Sequence, residues 1–372
     1  MDFSLLKNYL QSLVESTGGV DTQIRVYKGG EQVFSFCGGW RDEQHKTEAS
    51  PHDCFYIYSL TKPITCTAAM QLVERGLLDL DAPVSHYLPF FKNATVKKDD
   101  AIIPLDKELK VWHLFSMQSG LNYDAGKEKY NKSIAENLPT MEILKAVIEE
   151  VPFSFSPGEH WQYACRNHDT LGCIIEAITG KPFPEYLKEN IFTPLNMENI
   201  DFKVTGFLKD NIADMYRADA DGKLETVPFC EWRGPCENYK SGGYGLITNA
   251  DTYGKFALTM ANGGVSPLGA RILKTETINK MRTDRLTDSN RSDFWRTPFG
   301  YGYALGVRTL VSKAQGSPTP IGEFGWDGAA GGYTMFDTEN NIAIIFLTHT
   351  LSGNQKLDQN TIRDLTYKGI FG

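Results

Sequence analysis

The alternation of apolar and polar positions predicts a helix and then a β-hairpin at the start of the chain. Apolar residues recur at helical spacing over residues 3–14, which indicates an amphipathic first helix. Residues 23–27 and 32–37 are strand-like, and between them Gly29 and Gly30 can adopt the positive φ angles of a tight turn. An antiparallel sheet therefore begins near the N-terminus.

A strongly apolar helix is predicted from residue 60 onward. Ile64, Ala68 and Leu72 line one face at intervals of four residues. Arg75-Gly76 then supplies a cationic last turn and a glycine at which the helix stops. This helix is apolar enough to be buried.

Sheet patterns return only toward the C-terminus. Between about residues 80 and 240 the chain mixes helical segments, such as 140–150 and 169–178, with long loops that contain Pro and Gly. The sheet is therefore expected to combine strands from both ends of the sequence. The C-terminal elements are strand-like stretches at 301–310, 332–336 and 341–349 and a final helix at 359–368.

These patterns predict an α/β (α+β) fold in two domains. Residues 1–65 and 240–372 would form a discontinuous domain in which helices flank an antiparallel β-sheet. Residues 66–239 would form a mainly helical domain. We expect the active site in the cleft between them.

The composition is that of a globular protein without a nucleic-acid or membrane partner. Its 372 residues are 41% hydrophobic and 23% charged, and 46 acidic residues outnumber 38 basic ones for a net charge of −8. No run of basic residues is present to attract a phosphate backbone or an anionic bilayer. The longest apolar run, 342–347, suits a buried strand and is too short to span a membrane. The first residues lack the pattern of a signal peptide, so we expect a cytoplasmic location.

The spacing of cysteine and histidine predicts neither a disulfide framework nor a metal site. His160 and His168 flank Tyr163, but no carboxylate ligand stands at metal spacing from them. We therefore expect no metal and no other cofactor. The cysteines are odd in number and form no C-x-x-C pair; they lie at positions 37, 54, 66, 165, 173, 230 and 236.

The pattern that carries chemistry is Ser59-Leu60-Thr61-Lys62, at the start of the buried helix. Positions i and i+3 share one face of a helix, so the Lys62 amine can reach the Ser59 hydroxyl and, when desolvated, accept its proton. Backbone N–H groups at a helix start can stabilise an oxyanion. The same spacing occurs at Ser4 and Lys7, but inside the amphipathic first helix and without a preceding strand.

The segment around Ser59 resembles the active-site helix of serine β-lactamases, penicillin-binding proteins and their esterase relatives. Residues 55–62 read Phe-Tyr-Ile-Tyr-Ser-Leu-Thr-Lys, and the resemblance runs from about residue 20 to the C-terminus. It implies a β-lactamase/transpeptidase-like fold and acyl transfer through a serine. Further segments match the family in order and spacing, namely 111–121, 157–163, 171–176, 241–246 and 300–306.

By this resemblance, Tyr163 would exchange protons with Ser59. A free phenol has a pKa of about 10 and is a poor base at neutral pH, so Lys62 must lie close enough to favour the phenolate. The family's third element is a strand triplet whose following N–H completes the oxyanion hole. Trp326-Asp327-Gly328 resembles the W-x-G variant of esterase members, which makes the N–H groups of Ser59 and Ala329 the two donors.

A second stretch, Lys240-Ser241-Gly242, is chemically nearer to the Lys-Thr-Gly triplet common in the family. It precedes the helix predicted at 250–261 and corresponds to the family's Ser-Gly-Gly turn. We therefore assign it a structural role.

Departures from the β-lactamase pattern favour an ester substrate, and they give Trp326, Asp327, Gly328 and Cys165 as the predicted substrate-binding residues. Trp326 stands where lactamases usually carry lysine, which removes the cation that pairs with a substrate carboxylate. Cys165 stands where they carry the asparagine of Y-x-N, and a thiol cannot replace an amide that both donates and accepts. Asp327 would repel an anionic substrate if it faces the pocket rather than capping a turn.

We therefore expect a carboxylesterase-like serine acyl hydrolase that acts on a small-molecule ester or amide. Ser59 would attack the carbonyl while Lys62 and Tyr163 move its proton. One alternative is a β-lactamase or a D-amino-acid-specific peptidase. Another is a catalytically silent binding protein of the same fold, which Cys165 favours. Cys165 with His168 as a nucleophilic pair is disfavoured, because no oxyanion-forming helix start precedes the cysteine.

Overall fold

The computed structural model describes residues 1–123, 126–219, 223–228, 237–351 and 356–372. Its strands are β1 (Thr22–Lys28), β2 (Glu31–Gly38), β3 (Phe55–Tyr56), β4 (Thr95–Lys98), β5 (Ala101–Pro104), β6 (Ile200–Asp201), β7 (Met215–Ala218), β8 (Leu224–Val227), β9 (Ile247–Thr248), β10 (Tyr301–Tyr303), β11 (Arg308–Leu310), β12 (Phe324–Asp327), β13 (Tyr333–Asp337), β14 (Ile342–Thr348) and β15 (Thr350–Leu351). Its α-helices are α1 (Ser4–Ser16), α2 (Thr61–Glu74), α3 (Val84–Tyr87), α4 (Val111–Phe115), α5 (Lys127–Ala135), α6 (Thr140–Glu150), α7 (Arg166–Thr179), α8 (Phe183–Leu187), α9 (Phe207–Asn211), α10 (Ala250–Ala261), α11 (Thr275–Met281) and α12 (Gln359–Phe371).

A seven-stranded antiparallel sheet combines strands from both ends of the chain, in the order β10-β11-β12-β13-β14-β1-β2. β1 pairs with β14, with Val26 opposite Ile344. β1 and β2 form the predicted hairpin, and Gly29 and Gly30 in its turn have φ angles of 62° and 91°. The predicted antiparallel sheet is confirmed.

Helices cover both faces of this sheet because alternate side chains of β14 point to opposite sides. Ile344 and Phe346 pack with α1 and α12 in one apolar cluster. Ile345 and Leu347 belong to a second and larger cluster, which also contains the apolar side chains of α2, α7 and α10. Every residue of β14 is buried, which explains the continuous apolar run in its sequence at residues 342–347.

Helix α2 lies in the larger apolar cluster, as its apolar surface predicts. Its residues from Thr61 to Leu72 are buried, and small side chains such as Ala68 and Ala69 allow neighbouring helices to approach closely. α2 packs against α7 and α8. A 3₁₀ turn over Tyr58–Leu60 precedes α2, so the serine of the Ser-x-x-Lys pattern stands one turn before the α-helix proper.

The structure differs from the sequence pattern in two regions. The strand-like stretch 301–310 forms two strands, β10 and β11, because the chain turns back between them at Gly306, whose φ is 81°. The region from about 80 to 240 is rich in helices but also contains the short strands β4 to β8. The division of the chain into domains at residues 65 and 240 stays a prediction.

Within the described ranges, no helix is both long and apolar enough to cross a lipid bilayer. The same part of the chain contains no group of three or more His, Cys, Asp or Glu side chains placed to hold a metal ion. Cys37, Cys54, Cys66, Cys165 and Cys173 are free thiols. The remaining two cysteines, Cys230 and Cys236, lie outside the described residues.

Candidate active site

Ser59 stands at a sharp bend between β3 and α2. The preceding residue, Tyr58, has a φ of 46°, which is uncommon for a residue with a side chain. This left-handed residue lets the chain turn from the strand directly into the 3₁₀ turn that carries Ser59. Ser59 is 8% exposed, so only a small part of this residue is open to solvent.

Lys62 is fully buried, and each of its three ammonium donors has an acceptor. The Nζ atom lies 3.0 Å from Ser59 Oγ, 3.2 Å from Cys165 Sγ and 2.7 Å from the carbonyl oxygen of Gly243. A lysine ammonium has three N–H donors and no acceptor. These contacts therefore suit the protonated side chain and fix its direction toward Ser59.

Tyr163 approaches Ser59 from the other side. Its hydroxyl donates to Ser59 Oγ at 2.6 Å, although the two residues are 104 positions apart in the chain. The Lys62 Nζ atom lies 4.6 Å from the centroid of the Tyr163 ring. Trp326 Nε1 donates to the Tyr163 hydroxyl at 3.3 Å, which joins β12 to the cluster. The structure thus brings the three predicted groups, Ser59, Lys62 and Tyr163, together.

Burial and charge act in opposite directions on the protons of this cluster. Burial disfavours the charge of Lys62, but its attraction to the ionised forms of Cys165 and Tyr163 and its hydrogen bonds to them outweigh this effect and raise the pKa of the ammonium. Burial raises the pKa of Tyr163, and the charge of Lys62 offsets this only in part. At neutral pH the arrangement therefore favours an ammonium and a neutral phenol, both of which donate to Ser59.

Trp326 and Asp327 end β12, and Gly328 follows them beside the 3₁₀ turn that carries Ser59. A Cβ atom on Gly328 would lie 2.8 Å from the carbonyl oxygen of Ile57, so only glycine allows the two backbones to approach this closely. Ala329 follows in a tight turn in which Gly328 N–H donates to the Gly332 carbonyl at 2.7 Å. Among the described residues, no hydrogen-bond acceptor is found for the N–H of Ala329.

Asp327 is paired with arginines, which the sequence pattern did not reveal. Arg308 Nη1 lies 3.3 Å from its carboxylate, and Arg296 forms a second ion pair with it. Arg308 is fully buried and also pairs with Glu323 at 3.2 Å. The charge of Asp327 is therefore offset by neighbouring cations, and the repulsion of an anionic substrate expected from it has no support in this geometry.

The contacts of Cys165 are with Lys62 and Tyr123. Its sulfur lies 2.6 Å from the hydroxyl of Tyr123 and accepts from Lys62. Burial raises the pKa of the Cys165 thiol, with the charge of Lys62 opposing it. Neither ring nitrogen of His168 has a hydrogen-bond partner in the part of the chain that the structure describes, and burial holds the pKa of this imidazole well below its ordinary value. This geometry does not favour a Cys165–His168 nucleophilic pair.

The two other candidate stretches lie in different surroundings. Ser4 is exposed, and its hydroxyl donates to the Asp2 carboxylate at 2.6 Å within the first turn of the chain. Ser241 is buried and donates to Asp169 at 2.7 Å, while Lys240 donates to the carbonyl oxygen of Glu237. Among the described residues, neither Ser4 nor Ser241 has a lysine amine as its hydrogen-bond partner.

A cleft of about 570 Å³ opens beside Gly328 and Ala329. Trp295 forms an aromatic part of its wall and lies edge-on to Tyr163, with ring centroids 5.6 Å apart. Phe299 adds a second exposed aromatic side chain, and Arg296 and Asp358 supply charged groups. The cleft can therefore hold a ligand with both apolar and polar parts next to the Ser59 cluster.

Comparison with known proteins gives a consistent result. A sequence model described as Beta-lactamase matches residues 6–367. Esterase EstB of Burkholderia gladioli is 27% identical over 357 residues, which cover 87% of this chain and 84% of the esterase. Protein Rv1367c of Mycobacterium tuberculosis strain H37Rv is 29% identical over 325 residues, covering 83% of this chain and 80% of that protein.

Solved structures show the same fold. EstCE1, described as a hydrolase with promiscuous acyltransferase activity, superposes with a TM-score of 0.80 at 22% identity, covering 99% of this chain and 97% of that one. This likeness confirms the predicted β-lactamase-like fold.

Proposed function

This chain belongs to the beta-lactamase family, and from that premise we propose that it is a serine hydrolase that cleaves carboxylic esters through an acyl-serine intermediate. The observation that carries the proposal is the convergence of Lys62 Nζ and the Tyr163 hydroxyl on Ser59 Oγ, at 3.0 and 2.6 Å. Serine hydrolase activity agrees with the family and with its esterase relative. The ester specificity and the residue roles are our proposal.

The reaction begins when the Lys62–Tyr163 pair loses one proton. Lys62 keeps its charge and stabilises the phenolate of Tyr163, which takes the Ser59 proton as Oγ attacks the ester carbonyl. The N–H groups of Ser59 and Ala329 donate to the oxyanion, each contributing roughly 10²-fold or more to the rate. Tyr163 then protonates the departing alkoxide and is again a phenolate; in the second step it takes a proton from the attacking water and returns it to Ser59 Oγ as the acid leaves.

The surroundings of the pair favour an ester over a β-lactam or a D-amino-acid peptide. The indole of Trp326 takes the place of a cation that would anchor a carboxylate, and Arg296, the cation in the cleft, is already paired with Asp327. Cys165 places a sulfur beside Lys62, where the lactamase pattern has an amide that both donates and accepts. An acylamino or carboxylate group therefore lacks the partners that lactamases provide.

An ester panel on wild type and Ser59→Ala tests this proposal. We expect hydrolysis of short-chain nitrophenyl esters by wild type, a loss of at least roughly 10³-fold in Ser59→Ala, and slow turnover of a chromogenic cephalosporin. Circular dichroism shows whether the variant is folded. Rapid cephalosporin turnover with negligible ester cleavage would establish the β-lactamase alternative, and no turnover of any substrate would favour a silent binding protein.

A further inference from the structure

The turn Ser241-Gly242-Gly243 lies tightly between α2 and α7. A Cβ atom on Gly242 would be 2.4 Å from the carbonyl oxygen of His168, and one on Gly243 would be 2.7 Å from Cys165 Cβ. On the other side, Thr65 Oγ1 donates to the Gly242 carbonyl at 2.7 Å. Glycine is therefore required at both positions for the turn to reach the helix that carries Lys62.

Asp169 organises this turn from α7. It is 3% exposed, and its Oδ1 atom accepts from Ser241 Oγ at 2.7 Å while Oδ2 accepts from the Tyr239 hydroxyl at 2.6 Å. The Gly243 N–H donates to Ser241 Oγ at 3.1 Å and also lies 3.4 Å from Asp169 Oδ1. One carboxylate thus fixes both the first residue and the last residue of the turn.

The turn connects Asp169 to the active-site lysine. The carbonyl oxygen of Gly243 accepts from Lys62 Nζ at 2.7 Å, the shortest of the three contacts of that ammonium. Within the described ranges, the buried carboxylate of Asp169 is stabilised by hydrogen bonds from Tyr239, Ser241 and Gly243 and not by an ion pair. Burial raises the pKa of Asp169, and the hydrogen bonds from Tyr239 and Ser241 and the charge of Lys62 oppose this effect.

We propose that Asp169 is a positioning residue for Lys62. Through Ser241 it holds the Gly243 carbonyl in place as an acceptor for the ammonium, and its buried negative charge favours the charged form of Lys62. The proposal rests on the proposed function and gives the Ser-Gly-Gly turn a part in the reaction. Tyr239 also helps to hold Asp169 in place, because its hydroxyl donates to the second carboxylate oxygen, Oδ2.

Removing the charge of Asp169 has a defined effect on the pH profile. Without the carboxylate, one negative charge beside the Lys62–Tyr163 pair is gone and the pair loses its proton at lower pH, so the alkaline rise of kcat/KM moves toward lower pH, by roughly one unit. The other titratable groups near Lys62 remain in such a variant; they are Cys66, Tyr123, Tyr163, Cys165, His168 and Tyr239.

The decisive experiment compares Asp169→Asn with Ser241→Ala, using Glu176→Gln as the matched control. Glu176 is a partly buried carboxylate on the same helix, but it accepts from the Phe183 N–H and has no contact with Lys62. We expect Asp169→Asn to lower kcat by roughly 10- to 100-fold with a smaller change in KM, and to shift the pH profile. Ser241→Ala should lower kcat without the shift, since the charge remains. Glu176→Gln should behave as wild type.

A folded Asp169→Asn variant with the wild-type pH profile and kcat within twofold of wild type would overturn the proposal. If Asp169→Asn does not fold, Ser241→Ala and Tyr239→Phe decide, because each removes one donor and keeps the charge. Unchanged kcat in both would then overturn the proposal, and a reduced kcat in folded protein would support it. Failure of the proposed function is recognised separately, because wild type would then cleave no ester, or ester hydrolysis would persist in Ser59→Ala.

Discussion

At the scale of single residues, the ammonium of Lys62 donates hydrogen bonds to three acceptors, of which the sequence pattern predicts one. Ser59 lies three positions earlier on the same helical face, so this contact is a property of local geometry. Gly243 and Cys165 reach the amine through tertiary structure, 181 and 103 residues away. Tyr163 was identified through its resemblance to a family motif, because no spacing rule relates it to Ser59.

Replacement of Tyr163 by Phe tests the role of its hydroxyl directly. Tyr163→Phe removes the donor at 2.6 Å from Ser59 Oγ and keeps the ring beside Lys62 and Trp326. We expect kcat/KM for a nitrophenyl ester to fall by roughly 10²- to 10⁴-fold, mostly in kcat. Steady-state kinetics on folded protein give the result, and a variant within threefold of wild type would exclude Tyr163 as the proton carrier.

The pH dependence of kcat/KM follows from the raised pKa values of Lys62 and Tyr163. At neutral pH both groups hold their protons, so the active form, which has lost one proton, becomes more abundant as the pH rises. We expect kcat/KM to increase through the alkaline range, with an apparent pKa that belongs to the pair. A profile that is flat from neutral to alkaline pH in the stable range of the protein would contradict this assignment.

At the scale of elements, the sequence predicted those whose pattern is long and regular. The β1–β2 hairpin, β14, the buried α2 and the C-terminal α12 were all expected, because each presents either alternation, helical periodicity or a continuous apolar run. Short strands such as β4 and β5 have too few residues for a period to be visible. The arginines that hold Asp327 were missed because they pair across strands and loops, where sequence spacing carries no information.

The close approach of β12 to the serine turn leads to a prediction for Gly328→Ala. The added methyl group would lie 2.8 Å from the Ile57 carbonyl and would push the following N–H of Ala329 away from Ser59. We expect kcat to fall by roughly 10- to 100-fold while the far-ultraviolet circular dichroism spectrum stays unchanged. Gly316→Ala is the control for a glycine replaced without a clash, because a Cβ there meets no described atom within 4 Å, although its φ of 83°, unlike the backbone of Gly328, already strains a residue with a side chain. Equal activity of the two variants would contradict the role of this turn.

At the scale of the whole molecule, distant parts of the chain meet through buried polar groups as well as through the sheet. His349 is fully buried, its Nε2 atom accepts from the Tyr56 N–H at 3.1 Å, and its Nδ1 atom lies 3.0 Å from the Ala213 carbonyl oxygen. One imidazole thus ties together segments from three regions of the sequence. No periodicity marks such a residue, so sequence reasoning did not single it out.

This histidine makes the stability of the fold sensitive to acid. Burial lowers the pKa of His349 to about 4, from an ordinary value of 6.5. Between these two pH values the imidazole is protonated in the unfolded chain and neutral in the folded chain. The contribution of His349 to the free energy of unfolding is therefore complete above about pH 6.5. It falls by up to about 3 kcal/mol as the pH is lowered to 4.

Urea unfolding of wild type and His349→Gln at several pH values measures this effect. We expect the free energy of unfolding of wild type to fall more steeply between pH 6.5 and 4 than that of the variant, since the other titrating groups are common to both. Parallel curves would show that His349 does not titrate in this window.

The central claim, that Ser59 becomes acylated, is tested most directly by trapping the intermediate. Wild type is mixed with a nitrophenyl ester or a fluorophosphonate, quenched in acid, digested and mapped by mass spectrometry. We predict an adduct on the peptide that contains Ser59, slower formation of it in Tyr163→Phe, and none in folded Ser59→Ala. An adduct on Cys165, or unchanged labelling in Ser59→Ala, would contradict the account.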